Sequence, residues 1–242
     1  MENITDIKKE MTQYWSRRVE DFSRLRQEEF AGEKHRQWHE ELQRRLPAGR
    51  ELKILDIGTG TGFFAFLLAE MGHRVTGIDL TPEMIAEAKR IAKSLGRDLV
   101  DFYVMDAEKP DFPDGSFDVI VTRKLTWTLP HLPETYARWH RLLKPDGIMI
   151  NFDADYCREK EAEKLPENHA HMSVSDELMT EYREMKEKLR PVQKSRPFWD
   201  AELLKAAGFH GITIDDGVWK RVYKEKDRFY DPTPGFGITA YA

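Results

Sequence analysis

The run Ile54-Leu55-Asp56-Ile57-Gly58-Thr59-Gly60-Thr61-Gly62-Phe63 sets a carboxylate just before three glycines at alternate positions. A turn so poor in side chains lets a ligand approach bare backbone. Its amide N–H groups, and the helix N-terminus that follows, then face that ligand. A second carboxylate, Asp79, closes the run Arg74-Val75-Thr76-Gly77-Ile78-Asp79. An acid at such a strand end can accept both hydroxyls of a ribose. Asp56, Gly58, Thr59, Gly60, Gly62 and Asp79 are therefore the parts of a site for a nucleoside-containing ligand.

The glycine spacing selects among such ligands. A dinucleotide site uses G-x-G-x-x-G, whose backbone closes on a pyrophosphate. Here the pattern is G-x-G-x-G, and Phe63 stands where the third dinucleotide glycine belongs. Asp56 would also place a negative charge beside any pyrophosphate. A cationic ligand without phosphate fits better, and S-adenosylmethionine carries a sulfonium, an ammonium and a ribose. A nicotinamide-dependent oxidoreductase is disfavoured on the same grounds.

Three more segments fall in order along the chain: Tyr14-Trp15-Ser16-Arg17-Arg18, Met105-Asp106-Ala107-Glu108 and Leu143-Lys144-Pro145-Asp146-Gly147. With the glycine loop and Asp79, they make the sequence resemble the class I S-adenosylmethionine-dependent methyltransferases from about Tyr14 to Gly147. It is most similar to the small-molecule group that includes ubiquinone/menaquinone-biosynthesis-type enzymes. The resemblance implies that Asp56 organises the ammonium end, directly or through water, while Leu80 and Met84 flank the adenine. It implies that Asp106 accepts the adenine amino group and that the Ala107 N–H meets a ring nitrogen. Glu108 is expected to face solvent.

The same resemblance implies that the N-terminal segment folds over the methionine end of the cofactor. An aromatic face there packs on a sulfonium and an arginine pairs with a carboxylate, which nominates Tyr14, Trp15 and Arg18. The resemblance also implies that the first residues of Thr122-Arg123-Lys124-Leu125 face the same end, which nominates Arg123. It is open to a contact with cofactor, with an anionic substrate, or to a plain salt bridge. The N-P-P-Y-type motif of amino-methylating relatives is absent from this position, which weakens DNA adenine or protein glutamine as acceptor.

Methyl transfer is an in-line displacement at a carbon already activated by positive sulfur. Alignment and exclusion of water supply most of what it needs. A base is required only if the acceptor arrives protonated. Asp153, Asp155, His131, His169 and His171 are candidates, and none is assigned. His169-x-His171 lacks a nearby third ligand, so no metal site is expected. Trp127, Arg196, Trp199 and Tyr230 are possible pocket walls, whereas Met172 and Met179 are read as core.

These residues need a frame. From Leu52 onward, short apolar runs at 52–57, 74–79, 100–105, 117–122 and 148–153 alternate with helical segments at 62–71, 82–95 and 133–143. That alternation marks an α/β fold with a parallel sheet covered on both faces. Lys144 to Gly147 reads as the turn into the fifth strand. Residues 156–196 interrupt the rhythm with a helical stretch near 175–189, before a last helix at 199–207 and strands at about 211–219 and 235–241. The resemblance supplies the strand order 3-2-1-4-5-7-6 with strand 7 antiparallel, a Rossmann-like arrangement. Residues 1–48 read as an N-terminal helical cap, 49–242 as the methyltransferase domain, and 156–196 as an inserted helical lid. Trp219 to Pro234 is a second candidate cover.

The chain has 242 residues, 40% hydrophobic, enough for a sizeable core. A formal charge of −5 argues against a general nucleic-acid binder. The lone Cys157 excludes an internal disulfide. No apolar signal core or membrane-length run is visible, so a cytoplasmic protein without a membrane partner is expected. The partner expected is a small-molecule acceptor with an O, N, S or C nucleophile; oligomeric state is open. RNA or protein methylation, and a non-catalytic cofactor-binding module, are the rival readings.

Overall fold

The computed structural model describes residues 4–96, 100–158, 165–170, 174–192 and 194–242. His171 and Met172 lie outside the described residues. Strands β1 (Lys53–Ile57), β2 (Arg74–Asp79), β3 (Val100–Val104), β4 (Phe117–Arg123), β5 (Leu143–Ala154), β6 (His210–Asp215) and β7 (Gly235–Tyr241) form one seven-stranded sheet. Its order is β3-β2-β1-β4-β5-β7-β6. The β1–β2, β1–β4, β2–β3 and β4–β5 pairs are parallel, and β7 runs antiparallel to both β5 and β6. The order reverses between β1 and β4, which opens a crevice at the carboxyl ends of those strands.

Helices cover both faces. On one side α3 (Phe63–Glu70) and α4 (Pro82–Leu95) pack with α2 (Glu33–Gln43) and α8 (Val218–Val222). Seven consecutive residues of α3, Phe63 to Ala69, are buried, as expected of a helix apolar on every side. Trp38 and Leu42 of α2 join the same core as Ile54, Val119 and Phe152. On the other side α5 (Leu132–Leu142) and α7 (Phe198–Ala206) bury Tyr136, Trp139 and Leu204 against Leu55, Ile120 and Met149.

The long helix α1 (Ile4–Ala31) spans 28 residues, about 42 Å at 1.5 Å per residue. It lies against α4, α3 and α6 (Asp176–Leu189), the helix between β5 and α7. A small third cluster of Ile7, Trp127, Tyr156, Cys157 and Leu189 joins the start of α1 to the end of α6 above β5.

Gly32 divides the N-terminal region into two helices, because its extended backbone (ψ −170°) cannot continue α1. Two local expectations are corrected. Lys144 to Gly147 is an irregularity inside β5 rather than a turn ahead of it, with Asp146 at φ 61° and the register to β4 shifting between Phe117 and Val119. The strand expected to reach 219 stops at Asp215, whose Oδ1 accepts the Gly217 N–H at 3.0 Å. Val218, Trp219 and Val222 then bury one face of α8.

Candidate cofactor and acceptor site

A cavity of about 920 Å³ opens at the crevice. Tyr14, Trp15, Arg18, Asp56, Gly58, Thr59, Gly60, Asp79, Leu80, Met84, Asp106, Ala107 and Arg123 all line it. Gly62 stands apart. Its φ of 93° starts α3, and a Cβ there would lie 2.7 Å from the Phe66 ring and 3.1 Å from Phe102, so it serves the helix entry.

The loop after β1 is tied to β2 through backbone. The N–H groups of Gly58 and Thr59 both donate to the Ile78 carbonyl, at 2.8 and 2.9 Å. Gly60 N–H donates to Asp79 Oδ2 at 3.0 Å, and Thr81 N–H to Asp79 Oδ1 at 2.9 Å. Asp79 is thus held from behind by two amides while it lines the cavity. Burial raises its pKa, with those amides opposing. At Gly58, φ is 72° and an added Cβ would lie 2.8 Å from the Leu125 side chain, so glycine alone keeps this approach open.

Asp56 is buried below the loop. Thr59 Oγ1 donates to its Oδ2 at 2.6 Å. Burial pushes its carboxyl up to about 7, against the Thr59 hydroxyl, the Arg123 charge and the Ala65 amide in the first turn of α3. A positive ligand nearby would favour its ionised form.

The α1 helix forms the roof. Lys8, Met11, Thr12, Trp15, Arg18, Phe22, Leu25 and Arg26 follow the i, i+3, i+4 spacing of one helix face and all line the cavity. The Tyr14 ring stacks on Tyr182 of α6 at 5.8 Å and packs edge-on to Trp15 at 5.2 Å. Arg18 Nη1 donates to the Tyr14 hydroxyl at 2.9 Å, while the buried Arg18 Nε has no hydrogen-bond partner among the described residues. Periodicity could have flagged Lys8 and Arg26, which motif reading missed.

At the β3 end, Lys8 Nζ bridges Asp106 Oδ2 at 2.6 Å and Glu108 Oε2 at 2.5 Å. Burial opposes the Lys8 charge, but the two acids hold its pKa above the ordinary lysine value. Glu108 does not face solvent. It is 7% exposed, and accepts the His131 N–H at 2.8 Å beside the His131 ring at 3.0 Å. Its reason for burial is structural: it fastens the start of α5 and the start of α1 to one point. Glu108→Ala should therefore lower stability by about 1–3 kcal/mol, the range for stranded buried partners. Urea unfolding would measure this, and a wild-type midpoint would remove Glu108 from that fastening role.

Arg123 forms the salt bridge that was one of its open roles. Its Nη1 lies 3.0 Å from Glu29 Oε1 of α1, and its guanidinium sits 4.3 Å from the Phe63 ring centroid. It faces the cavity as well. Beyond it, Lys124 Nζ and the Tyr156 hydroxyl both meet Asp231 Oδ2, each at 2.6 Å.

The acid candidates separate. Asp153 does not line the cavity; its Oδ2 accepts the Thr126 hydroxyl at 2.5 Å and the Trp127 N–H at 2.9 Å, and it pairs with Arg196 at 3.2 Å. Asp155 lines the cavity, and its buried Oδ1 has no hydrogen-bond partner among the described residues. Burial raises the Asp155 pKa, with the Arg196 amide opposing. His131 is held by Glu108 outside the cavity, whereas His169 lines it with Nε2 2.8 Å from the Tyr230 carbonyl. Trp127, Arg196 and Tyr230 line the cavity, but Trp199 is buried with α5 and α7. Met179, expected in the core, lines the cavity because α6 turns that edge toward α1.

This fold and site define a class I S-adenosylmethionine-dependent methyltransferase. The chain belongs to the methyltransferase-domain family, whose model matches residues 48–222. It is 31% identical over 188 residues to phosphoethanolamine N-methyltransferase 1 of Arabidopsis thaliana, covering 73% of this chain and 34% of that one. It is 37% identical over 123 residues to demethylmenaquinone methyltransferase of Chlorobaculum tepidum, covering 50% of this chain and 49% of the relative. The chain thus spans half or less of the length of these curated relatives. A SAM-dependent methyltransferase from Aquifex aeolicus has the same fold, with a TM-score of 0.58, 19% identity and coverage of 84% and 88% of the two chains.

Proposed function

We propose that this chain transfers the methyl group of S-adenosylmethionine to a small-molecule acceptor. The observation that carries this is one cavity lined by Asp56, Asp79, Asp106, Tyr14 and Arg18 at the sheet's switch point. In this reading Asp79 takes the ribose hydroxyls, and Leu80 and Met84 flank the adenine. Ala107 N–H and Asp106 meet the adenine edge, with Lys8 sharing the Asp106 carboxylate. The Gly58-to-Gly60 backbone and Asp56 serve the ammonium end, Tyr14 and Trp15 the sulfonium, and Arg18 the carboxylate. Residues 1–48 act as a cap and 156–196 as a lid on a methyltransferase domain spanning 49–242.

S-adenosylmethionine supplies a methyl group already activated by positive sulfur. The chain's own work is to orient both reactants and to exclude water, which the α1 and α6 roof supports. That roof also favours a small acceptor over RNA or protein. Where the acceptor arrives protonated, Asp155 takes the proton on its Oδ1, which has no hydrogen-bond partner among the described residues. No helix among the described residues is long and apolar enough to cross a membrane. The free, buried Cys157 suits a reducing compartment such as the cytoplasm.

Calorimetric titration with S-adenosylmethionine, S-adenosylhomocysteine and NAD in parallel tests the reading. Binding of the first two without NAD is the expected result; NAD alone would overturn it. The titration should also depend on pH. Below about pH 7 the free protein holds Asp56 mostly protonated, and a cationic ligand drives that proton off. Affinity for S-adenosylmethionine should therefore rise with pH through about 7 and then level. Folding stability carries the opposite slope, since a raised acid pKa costs stability as pH climbs from about 4 to about 7. Cofactor affinity that stays constant across this range would place the Asp56 charge outside the site.

A further inference from the structure

The cavity holds more positive charge than one cofactor can use. Arg18 and Arg26 both line it from α1, eight positions and about 12 Å of helix apart. Their guanidiniums diverge: Arg18 reaches back to the Tyr14 hydroxyl, whereas Arg26 reaches forward to Glu29. The Phe22 ring lies between them, edge-on to Trp15 at 5.4 Å and 4.9 Å from the Arg26 guanidinium. S-adenosylmethionine has a single carboxylate, so it satisfies one of these arginines and leaves the other.

Around Arg26 the ionic partners do not balance. Arg26 and Arg123 share the one Glu29 carboxylate, and Lys124 is matched by Asp231. Among the described residues, three cations thus meet two carboxylates. The Arg26 side chain is only 14% exposed, and its buried Nε has no hydrogen-bond partner among the described residues. Burial, offset by Glu29 but reinforced by Arg123, lowers the Arg26 pKa, as expected of a guanidinium short of counter-charge. A further carboxyl acting on Arg123 is Asp56, held up to about 7 by burial and so only partly ionised at neutral pH.

We infer that the methyl acceptor carries an oxyanion group, a carboxylate or phosphate, which Arg26 binds with Arg123 and Lys124. The inference rests on the cofactor reading above and names the substrate class of the same site. An oxyanion accepts the orphaned Nε–H of Arg26 and supplies the missing charge in a buried setting where such bonds are strong. The group would lie beside Asp231 and Tyr156, on the side covered by the segment leading to Pro234. The acceptor's anion is an anchor, and its nucleophile lies elsewhere in the molecule.

The test uses the full chain saturated with S-adenosylhomocysteine and titrated with inorganic phosphate, and separately with acetate, at constant ionic strength. Saturable binding of at least one anion is expected. Arg26→Gln should weaken it tenfold or more and change S-adenosylhomocysteine affinity less than threefold. Lys124→Gln, a second variant in case the first misfolds, should also weaken the anion. Arg18→Gln should show the reverse pattern, losing S-adenosylhomocysteine affinity and keeping the anion. No saturable anion site in the loaded protein would overturn the inference. So would Arg26→Gln losing tenfold in S-adenosylhomocysteine affinity with anion binding unchanged, which would hand this cluster to the cofactor's carboxylate. Wild-type protein that fails to bind S-adenosylhomocysteine would instead overturn the cofactor reading beneath it.

Discussion

Arg196→Met should lower unfolding stability by about 3–5 kcal/mol, the cost of breaking a buried ion pair from one side. Arg196 is 1% exposed at its side chain and lies between Asp153 and Asp200, both fully buried. Its Nε donates to Asp200 Oδ2 at 2.8 Å, its Nη1 to Asp153 Oδ2 at 3.2 Å, and its Nη2 to the Thr126 hydroxyl at 2.5 Å. Methionine fills comparable volume but strands two carboxylates. Tyr136 still donates to Asp200, and Thr126 to Asp153, yet neither supplies charge. At this chain length the loss corresponds to a melting point lower by roughly 10 °C.

The deficit should depend on pH with a definite sign. Burial already raises the Asp153 pKa, with Arg196 opposing, so removing Arg196 raises it further. A carboxyl whose folded pKa exceeds its unfolded one binds more protons when folded, and stability falls as pH rises between the two values. The variant should therefore lie closer to wild type at about pH 5 than at about pH 8. Urea unfolding at both pH values measures this. A loss under about 1 kcal/mol at the higher pH would mean that the two acids find other partners. Cofactor affinity should fall less than stability, because Arg196 bears on the Trp127 segment rather than on the glycine loop.

Asp79→Ala should weaken S-adenosylhomocysteine binding by about 1–3 kcal/mol, roughly 5- to 150-fold. Part of this is loop geometry, since the Gly60 and Thr81 amides lose their acceptor. The ribose share can be isolated with the 2′-deoxy analogue of the ligand. Wild type should prefer the parent compound, and Asp79→Ala should show no preference. Unchanged affinity would remove Asp79 from the site. A retained preference would confine Asp79 to holding the loop.

Much of this protein is written in local sequence. The alternation of short apolar runs with helices, the glycine turn and the Asp79 strand end are properties of neighbours in the chain. They placed β2, α4 and β7 at the residues where the structure has them. That Asp56, Asp79 and Asp106 line one cavity was legible because the carboxyl ends of the neighbouring strands β1, β2 and β3 share one edge of the sheet beside the switch point.

What the tertiary structure alone decided are the contacts between residues far apart in sequence. Glu108 reads as a surface acid, and only the arrival of Lys8 and His131 makes it a buried anchor. Asp153 and Asp155 would share a face if the strand ran on, but β5 ends at Ala154, so Asp153 stays buried against Arg196 while Asp155 lines the cavity. Arg26 lies among charges of both signs in a solvated-looking helix, and folding leaves it short of a counter-charge. Periodicity sets which face a side chain takes. Whether that face meets water, an ion partner or an unfilled site depends on elements packed from elsewhere, and acceptor chemistry is decided there.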